Sequence, residues 1–532
     1  MTKQTELKII AIRDNIITVE GEHSYQFLEE VKFTKEVSGI VLKATSTKAF
    51  VALLKIESHF PLQVGGKATA TGVQYEIEIF NNFWGSIIDI DGSSMVKGTP
   101  VKEVKKLSSR GIFEEAKPIY ARKLLNEPLF TGTSAIDGLL PIGKGQKELI
   151  VGDRGTGKTG LVVTAMLAQV GTNVKNVYVA VGKKREEVIE IFNVLKSKGV
   201  MEQTIIVVAA SDDTAAAKYL APYIGASIAE YFQEQGEDTL LVLDDLSNHA
   251  DAYRELSLIT GVAPGREAFP GDIFFTHSRL LERCGKFTEE FGSGSITIIP
   301  IVQTLGGDIS GYIPTNLISI TDGQIYTSTT VFNEGRRPAL EITYSVSRLG
   351  SAVQTNAMVK ATAGLKRLVS EYEGQKKLSS FNSNLSAEDK DRNLKGRAFE
   401  LIIDQEEYEV IDYNTSVILF LLLRNGFLSF YSFESLNEIN LVKSILKVFL
   451  SKDIIGIKMA QLINKKAITD DVVQLYLKHI ILPLLKYHIL SENKWLRNNP
   501  EFIKAFKDIR NDGRVLLSYE RRGYEKGIAY EI

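Results

Sequence analysis

The sequence predicts a multidomain α and β protein: an N-terminal small β-barrel, a central α/β domain with a mainly parallel sheet, and a C-terminal helical domain. Three observations predict it. Up to about residue 95 the pattern is short strands between turn residues, as in Ile16–Gly21, Ser38–Leu42 and Tyr75–Ile79, which favours a small all-β barrel or sandwich. From 96 to 365, short β-branched runs alternate with helical stretches, the signature of a parallel sheet covered on both faces. From 366 to 532 the long periodic segments are helical, for example Glu438–Leu450 and Asp471–Leu490, and an extended tail follows. A chain of 532 residues is too long for one core, so three domains are expected, over 1–95, 96–365 and 366–532.

Within the α/β segment the strand-like runs are Asn176–Val181, Gln203–Val208, Thr239–Leu243 and Ser295–Pro300. Ahead of them, the apolar run Glu148–Val151 leads into Gly152-Asp153-Arg154-Gly155-Thr156-Gly157-Lys158-Thr159, and Leu161–Ala168 then reads as a helix. Strand, Gly-rich turn ending in Gly-Lys-Thr, then helix is the Walker A arrangement of a P-loop domain. Glycines let the backbone curl so that successive N–H groups point at phosphate oxygens, and the helix N-terminus adds its partial positive charge. Lys158 supplies a cation for the β- and γ-phosphates, and Thr159 offers a hydroxyl to Mg²⁺. Leu240–Leu243 ends in Asp244 and Asp245; a strand-end Asp such as Asp244 can hold the metal's water shell across from the loop. Taken alone, such an Asp is more often a helix cap or turn former; downstream of a P-loop the balance reverses.

Bulk composition bounds the rest. With 63 basic and 65 acidic residues (net −2), nothing global argues for nucleic acid or an anionic membrane. The lone Cys284 excludes an internal disulfide or Cys-based metal cluster and fits a reducing compartment. The start carries no apolar signal core, and the longest apolar run, Val417–Leu423, is too short to span a bilayer. A cytoplasmic protein is expected, with membrane association only through other subunits.

Several longer motifs resemble the alpha subunit of F-type rotary ATPases. They are Pro141–Gln146, Leu243–Ser247, Ala252–Arg254, Pro264–Asp272, His277–Arg283, Tyr312–Ile325 and Tyr344–Ser351, in the family's order. The P-loop, with Asp153 and Arg154 inside it, is also the alpha version. The resemblance is dense from 127 to 365, looser through the barrel and thin after 430. It implies a RecA-like P-loop domain that takes ATP or ADP with Mg²⁺, the metal held by Thr159 and Asp244, and phosphates cradled by Gly152, Asp153, Arg154, Gly155, Thr156, Gly157, Lys158 and Thr159. It places Arg337 and Pro338 beside the adenine, with Gln405 as one of two adenine-contacting positions. Glu407 stands at the second, and Gly155 replaces the family's usual Gln.

Catalytic relatives carry a Gly-Glu-Arg element after the strand that follows the P-loop, and its carboxylate activates water. Here that strand ends Val181-Gly182-Lys183-Lys184-Arg185. An ammonium cannot accept the water's proton, so this chain's own site is expected to bind nucleotide without efficient turnover. Arg348, inside Ser-Arg-Leu-Gly, matches the family's arginine finger, which reaches into a neighbouring beta subunit and stabilises charge on the γ-phosphate.

The resemblance thus implies a non-catalytic alpha-type subunit alternating with three beta-type chains around a gamma-like central shaft, peripheral to the inner face of the cell membrane. Ser383–Asp389 falls where family members present a loop to that shaft. Beginning almost at the barrel, the chain is expected to lack the stalk-binding helix of alpha subunits and to extend past their usual end, through Trp495–Pro500 to Ile532. Those departures, with richness in Lys, Asn and Ile, resemble the diverged F-type-like paralogues of mollicutes, some of which serve surface or gliding machinery. An unknown partner for the tail is expected. Two alternatives stand beside this reading: a self-sufficient homohexameric P-loop ATPase of the secretion or Rho type, and a structural adaptor that has lost nucleotide binding.

Overall fold

In the computed structural model, residues 5–34, 37–55, 62–96, 103–378, 386–424 and 436–452 are described, with isolated positions up to 481. The predicted helix over 471–490 lies outside them save for Ile481, as do Ser383–Leu385 and the tail from 495. The protein divides into two compact units. One holds Met1–Thr131, Ile142–Gly335 and Ala339–Leu349; the other holds Gly132–Pro141, Arg336–Pro338 and Gly350–Ile532.

The first unit opens with six strands, Thr5–Arg13, Ile16–Glu20, Glu29–Lys32, Ser38–Ala44, Lys48–Leu53 and Lys67–Gln74, which close into a barrel. Alternation places Leu7, Ile9, Ile17, Val19, Val31, Val51 and Ala70 inside it, as a two-residue period requires. Closure pairs Thr5–Lys8 with Lys67–Ala70 and leaves no free edge.

The central sheet follows. Its strand order is Val346–Ser347, Gly323–Thr327, Leu149–Asp153, Ser295–Thr304, Asp238–Asp244, Lys175–Lys183, Thr204–Ala210, Ile87–Asp89 and Ser94–Val96. The seven inner strands run parallel, and the two outermost are antiparallel to their neighbours. The predicted runs fall inside Lys175–Lys183, Thr204–Ala210, Asp238–Asp244 and Ser295–Thr304. Their near-total burial accounts for continuous apolar sequence in place of alternation. The helices Lys158–Leu167 and Ala215–Glu234 bury most of their lengths in the same unit. Parallel pairing aligns the carboxyl ends: Asp153 sits opposite Thr304 and Gly152 opposite Thr327, while Ala180 pairs with Asp244. That shared edge is where a ligand of such a sheet collects.

The second unit is helical among its described residues: Ser134–Leu139, Asn356–Thr362, Leu365–Leu378, Ala387–Ile403, Tyr413–Arg424 and Leu436–Lys452. Val417–Leu423 is its buried centre, and a Cβ on Gly138 would lie 2.4 Å from the Phe420 ring, so that close approach requires glycine. No helix among the described residues is long and apolar enough to cross a membrane. Ser386 caps Ala387–Ile403 by accepting the Asp389 N–H at 3.1 Å, which puts Glu388 and Asp389 in the first helical turn, where their charge suits the dipole.

Candidate functional site

The Gly-rich loop leaves the strand Leu149–Asp153 and enters the helix Lys158–Leu167. Gly155 and Gly157 take φ of 78° and 85°, a left-handed region that β-carbons disfavour. Gly152 is required for a second reason: a Cβ there would lie 2.1 Å from Thr327 Oγ1 and 2.3 Å from its carbonyl oxygen. Thr156 donates to the Asp153 carbonyl at 2.8 Å and pairs with the Thr327 hydroxyl at 2.7 Å, pinning the loop to the adjacent strand.

Asp153 fixes the loop from the other side. Its carboxylate accepts from Thr304 Oγ1 (2.6 Å), the Gly307 N–H (2.8 Å) and Thr329 Oγ1 (3.0 Å). Burial works against its ionised form, but these hydrogen bonds outweigh it and hold the carboxyl below its ordinary range. The charge is thereby turned onto three donors outside the loop. Arg154 and Gly155 are exposed.

Lys158 is 7% exposed, its Nζ donating to the carbonyls of Gly152 (2.9 Å) and Asp153 (2.5 Å). Burial pushes its ammonium down to about 8, against the opposing pull of Asp245, Asp244 and Asp153. Beside it, Thr159 Oγ1 donates to Asp244 Oδ2 at 2.8 Å, and Tyr178 donates to the same oxygen at 2.8 Å. Lys183 Nζ lies 3.1 Å from Asp244 Oδ2 and 3.2 Å from Thr159 Oγ1. Asp245, raised to about 6 by burial and by its neighbour Asp244, caps the helix Leu246–Ile259 through the Asn248 N–H (2.8 Å) and accepts from Gln303 Nε2.

These residues test what the site can hold. The N–H-lined loop, the helix N-terminus and Lys158 fit a polyphosphate. Thr159 and Asp244 are the oxygen donors a Mg²⁺ would take, yet both already contact the Lys183 ammonium. Lys183 is the last residue of the strand Lys175–Lys183.

Arg348 is exposed. Its backbone N–H donates to the Asp322 carbonyl at 2.9 Å, and its guanidinium makes a long contact (3.4 Å) with the Ile318 carbonyl, so no P-loop residue is among its hydrogen-bond partners. Arg337, Pro338 and Gln405 belong to the second unit. There the Gln405 N–H donates to the Arg337 carbonyl at 2.8 Å. The Gln405 side chain donates to the carbonyls of Gly132 (2.6 Å) and Glu409 (2.5 Å) and accepts from the Ser134 N–H at 3.3 Å.

Sequence reasoning passed over Tyr178 and Gln303. The signal for Tyr178 was present: one polar-tipped ring in an aliphatic buried strand needs a partner for its hydroxyl. Gln303 carried no comparable signal, since a Gln near a strand end is commonplace.

A Gly-rich loop, a buried lysine and a strand-end carboxylate at one edge of a parallel sheet define a P-loop nucleotide-binding protein. Residues 132–347 match the nucleotide-binding domain of the ATP synthase alpha/beta family, and residues 354–482 match that family's C-terminal domain. The sequence is 41% identical over 458 residues to ATP synthase subunit alpha 1 of Mycoplasmopsis pulmonis, covering 86% of this protein and 85% of the relative. To ATP synthase subunit alpha of Acholeplasma laidlawii it is 39% identical (89% and 93% covered), and to that of Mycoplasmoides gallisepticum 42% (79% and 80%). The chain belongs to the ATP synthase alpha/beta family and is similar to its alpha subunits over most of its length.

Proposed function

We propose that the protein is a nucleotide-binding but non-catalytic alpha-type subunit of an F-type-like rotary ATPase. Its P-loop takes ATP or ADP; Thr159 and Asp244 as the Mg²⁺ positions, and Arg337, Pro338 and Gln405 as the adenine-side positions, are carried over from the family resemblance. Mg²⁺, where bound, screens phosphate charge. The observation that carries the non-catalytic reading is Lys183: at the strand end beside Asp244 the protein offers an ammonium, which cannot take a proton from attacking water. Arg348 is the complement, an exposed guanidinium available to a neighbouring beta-type subunit, where a fixed planar charge stabilises a transferring phosphoryl group. Three copies would alternate with three beta-type chains around a gamma-like shaft, coupled to proton transport or to surface or gliding machinery, and reach the membrane's inner face only through other subunits.

Native mass spectrometry on the complex captured from its own cells by a tag on this subunit tests the proposal. Three copies with three of a beta-type partner are expected. Six copies of this subunit with no partner would establish the self-sufficient homohexamer instead.

A further inference from the structure

We infer that Lys183 is a built-in counter-cation standing where Mg²⁺ would otherwise bind, so that this protein's site takes metal-free ATP or ADP nearly as well as the Mg²⁺ complex. The inference rests on the nucleotide reading above and concerns the form of ligand that site accepts.

The geometry is specific. Asp244 is 1% exposed, and its Oδ2 is met by three groups, the hydroxyls of Thr159 and Tyr178 and the ammonium of Lys183. The Thr159 hydroxyl gives its proton to Asp244 and accepts from Lys183 at 3.2 Å, so one of its two lone pairs is already directed at a cation. A Mg²⁺ on these two oxygens would sit within a few ångströms of the ammonium, and two cations at that separation repel strongly. The Lys183 side chain is 13% exposed and extends from the end of the strand Lys175–Lys183, whose parallel pairing with Asp238–Asp244 sets its approach to Asp244. With Lys158 on the loop, the site holds two ammonium groups. That is the charge compensation a polyphosphate needs, supplied without a metal.

The test is equilibrium binding of a fluorescent ADP analogue to the full-length protein, once in Mg²⁺ and once in EDTA, for the wild type and for Lys183→Gln. The wild type is expected to bind within about threefold in the two media, and Lys183→Gln to bind about tenfold or more tighter in Mg²⁺ than in EDTA, a usual size for coupling between two ligands. A wild type that loses tenfold or more in EDTA overturns the inference, and needs no variant to do so. The same small ratio in Lys183→Gln also overturns it, since metal independence would then owe nothing to the ammonium. Absence of binding in both media would overturn the nucleotide reading, and the inference with it. Circular dichroism on Lys183→Gln confirms that its ratio is read on folded protein; Lys183→Ala supplies the same comparison should the Gln variant not fold.

Discussion

Arg283 closes one of the family-like motifs, and the structure shows what it does there. It is 2% exposed and Glu230 is 4% exposed. Its Nε lies 2.7 Å from Glu230 Oε1 and its Nη2 2.5 Å from Oε2, a bidentate pair, while Nη1 donates to the Ile112 carbonyl at 2.7 Å and Nη2 to Ser227 Oγ at 2.9 Å. Arg283→Met leaves a buried carboxylate uncompensated, which costs about 3–5 kcal/mol. Replacing both partners, Glu230→Met with Arg283→Met, removes the stranded charge; what remains is mainly the unmet Ile112 carbonyl, about 1–2 kcal/mol. The double variant should therefore be more stable than the single one. The assay is urea unfolding followed at Trp84, whose ring lies 4.3 Å from that of Phe232 on the same helix as Glu230. A single variant costing under about 1 kcal/mol, or a double variant no better than the single, would refute the reasoning.

Gly152→Ala forces a Cβ into Thr327 at 2.1 Å; about 3 kcal/mol of overpacking strain should appear as lowered thermal stability together with lost nucleotide binding, both absent if the loop can shift. His249 and His277 are fully buried with their rings 3.4 Å apart (Nδ1 to Nε2), and burial pushes His277 down to about 4. Below pH 6.5 the unfolded chain takes up a proton that native His277 refuses, so its contribution is present above 6.5 and lost as pH falls toward 4, about 3 kcal/mol in all. Denaturant titrations between pH 7 and 4 should show that slope, and His277→Gln should lessen it, leaving the part due to His249, which burial also pushes down.

How far this molecule was legible depended on whether the cause was local. The inner strands could be read because burial on both faces leaves continuous β-branched runs, and the P-loop because its backbone needs glycine at Gly155 and Gly157. The strand Ile87–Asp89 could not: three residues carry too little pattern, and it exists because Thr204–Ala210 offers it an edge. In the sequence Lys183 reads only as an expected missing base; its place on Asp244 and Thr159 does not show there, because parallel pairing brings Asp244 to it and the P-loop helix brings Thr159. Asp153 likewise reads as one more residue of a phosphate loop. Only the fold turns its carboxylate onto Thr304, Gly307 and Thr329. The three-residue transfer of Arg336–Pro338 into the helical unit, between segments of the first, has no compositional mark at all.

The proposal with most at stake is that this protein finishes a neighbouring subunit's catalytic site while its own site binds nucleotide without efficient turnover. The most direct measurement is the initial ATPase rate of the complex reassembled with its beta-type partner, carrying either Arg348→Ala or Lys158→Ala in this subunit. The account predicts that Arg348→Ala lowers the rate about a thousandfold or more, as for loss of an arginine finger, and that Lys158→Ala leaves most of it. Abolished turnover in Lys158→Ala with an undiminished rate in Arg348→Ala would contradict it.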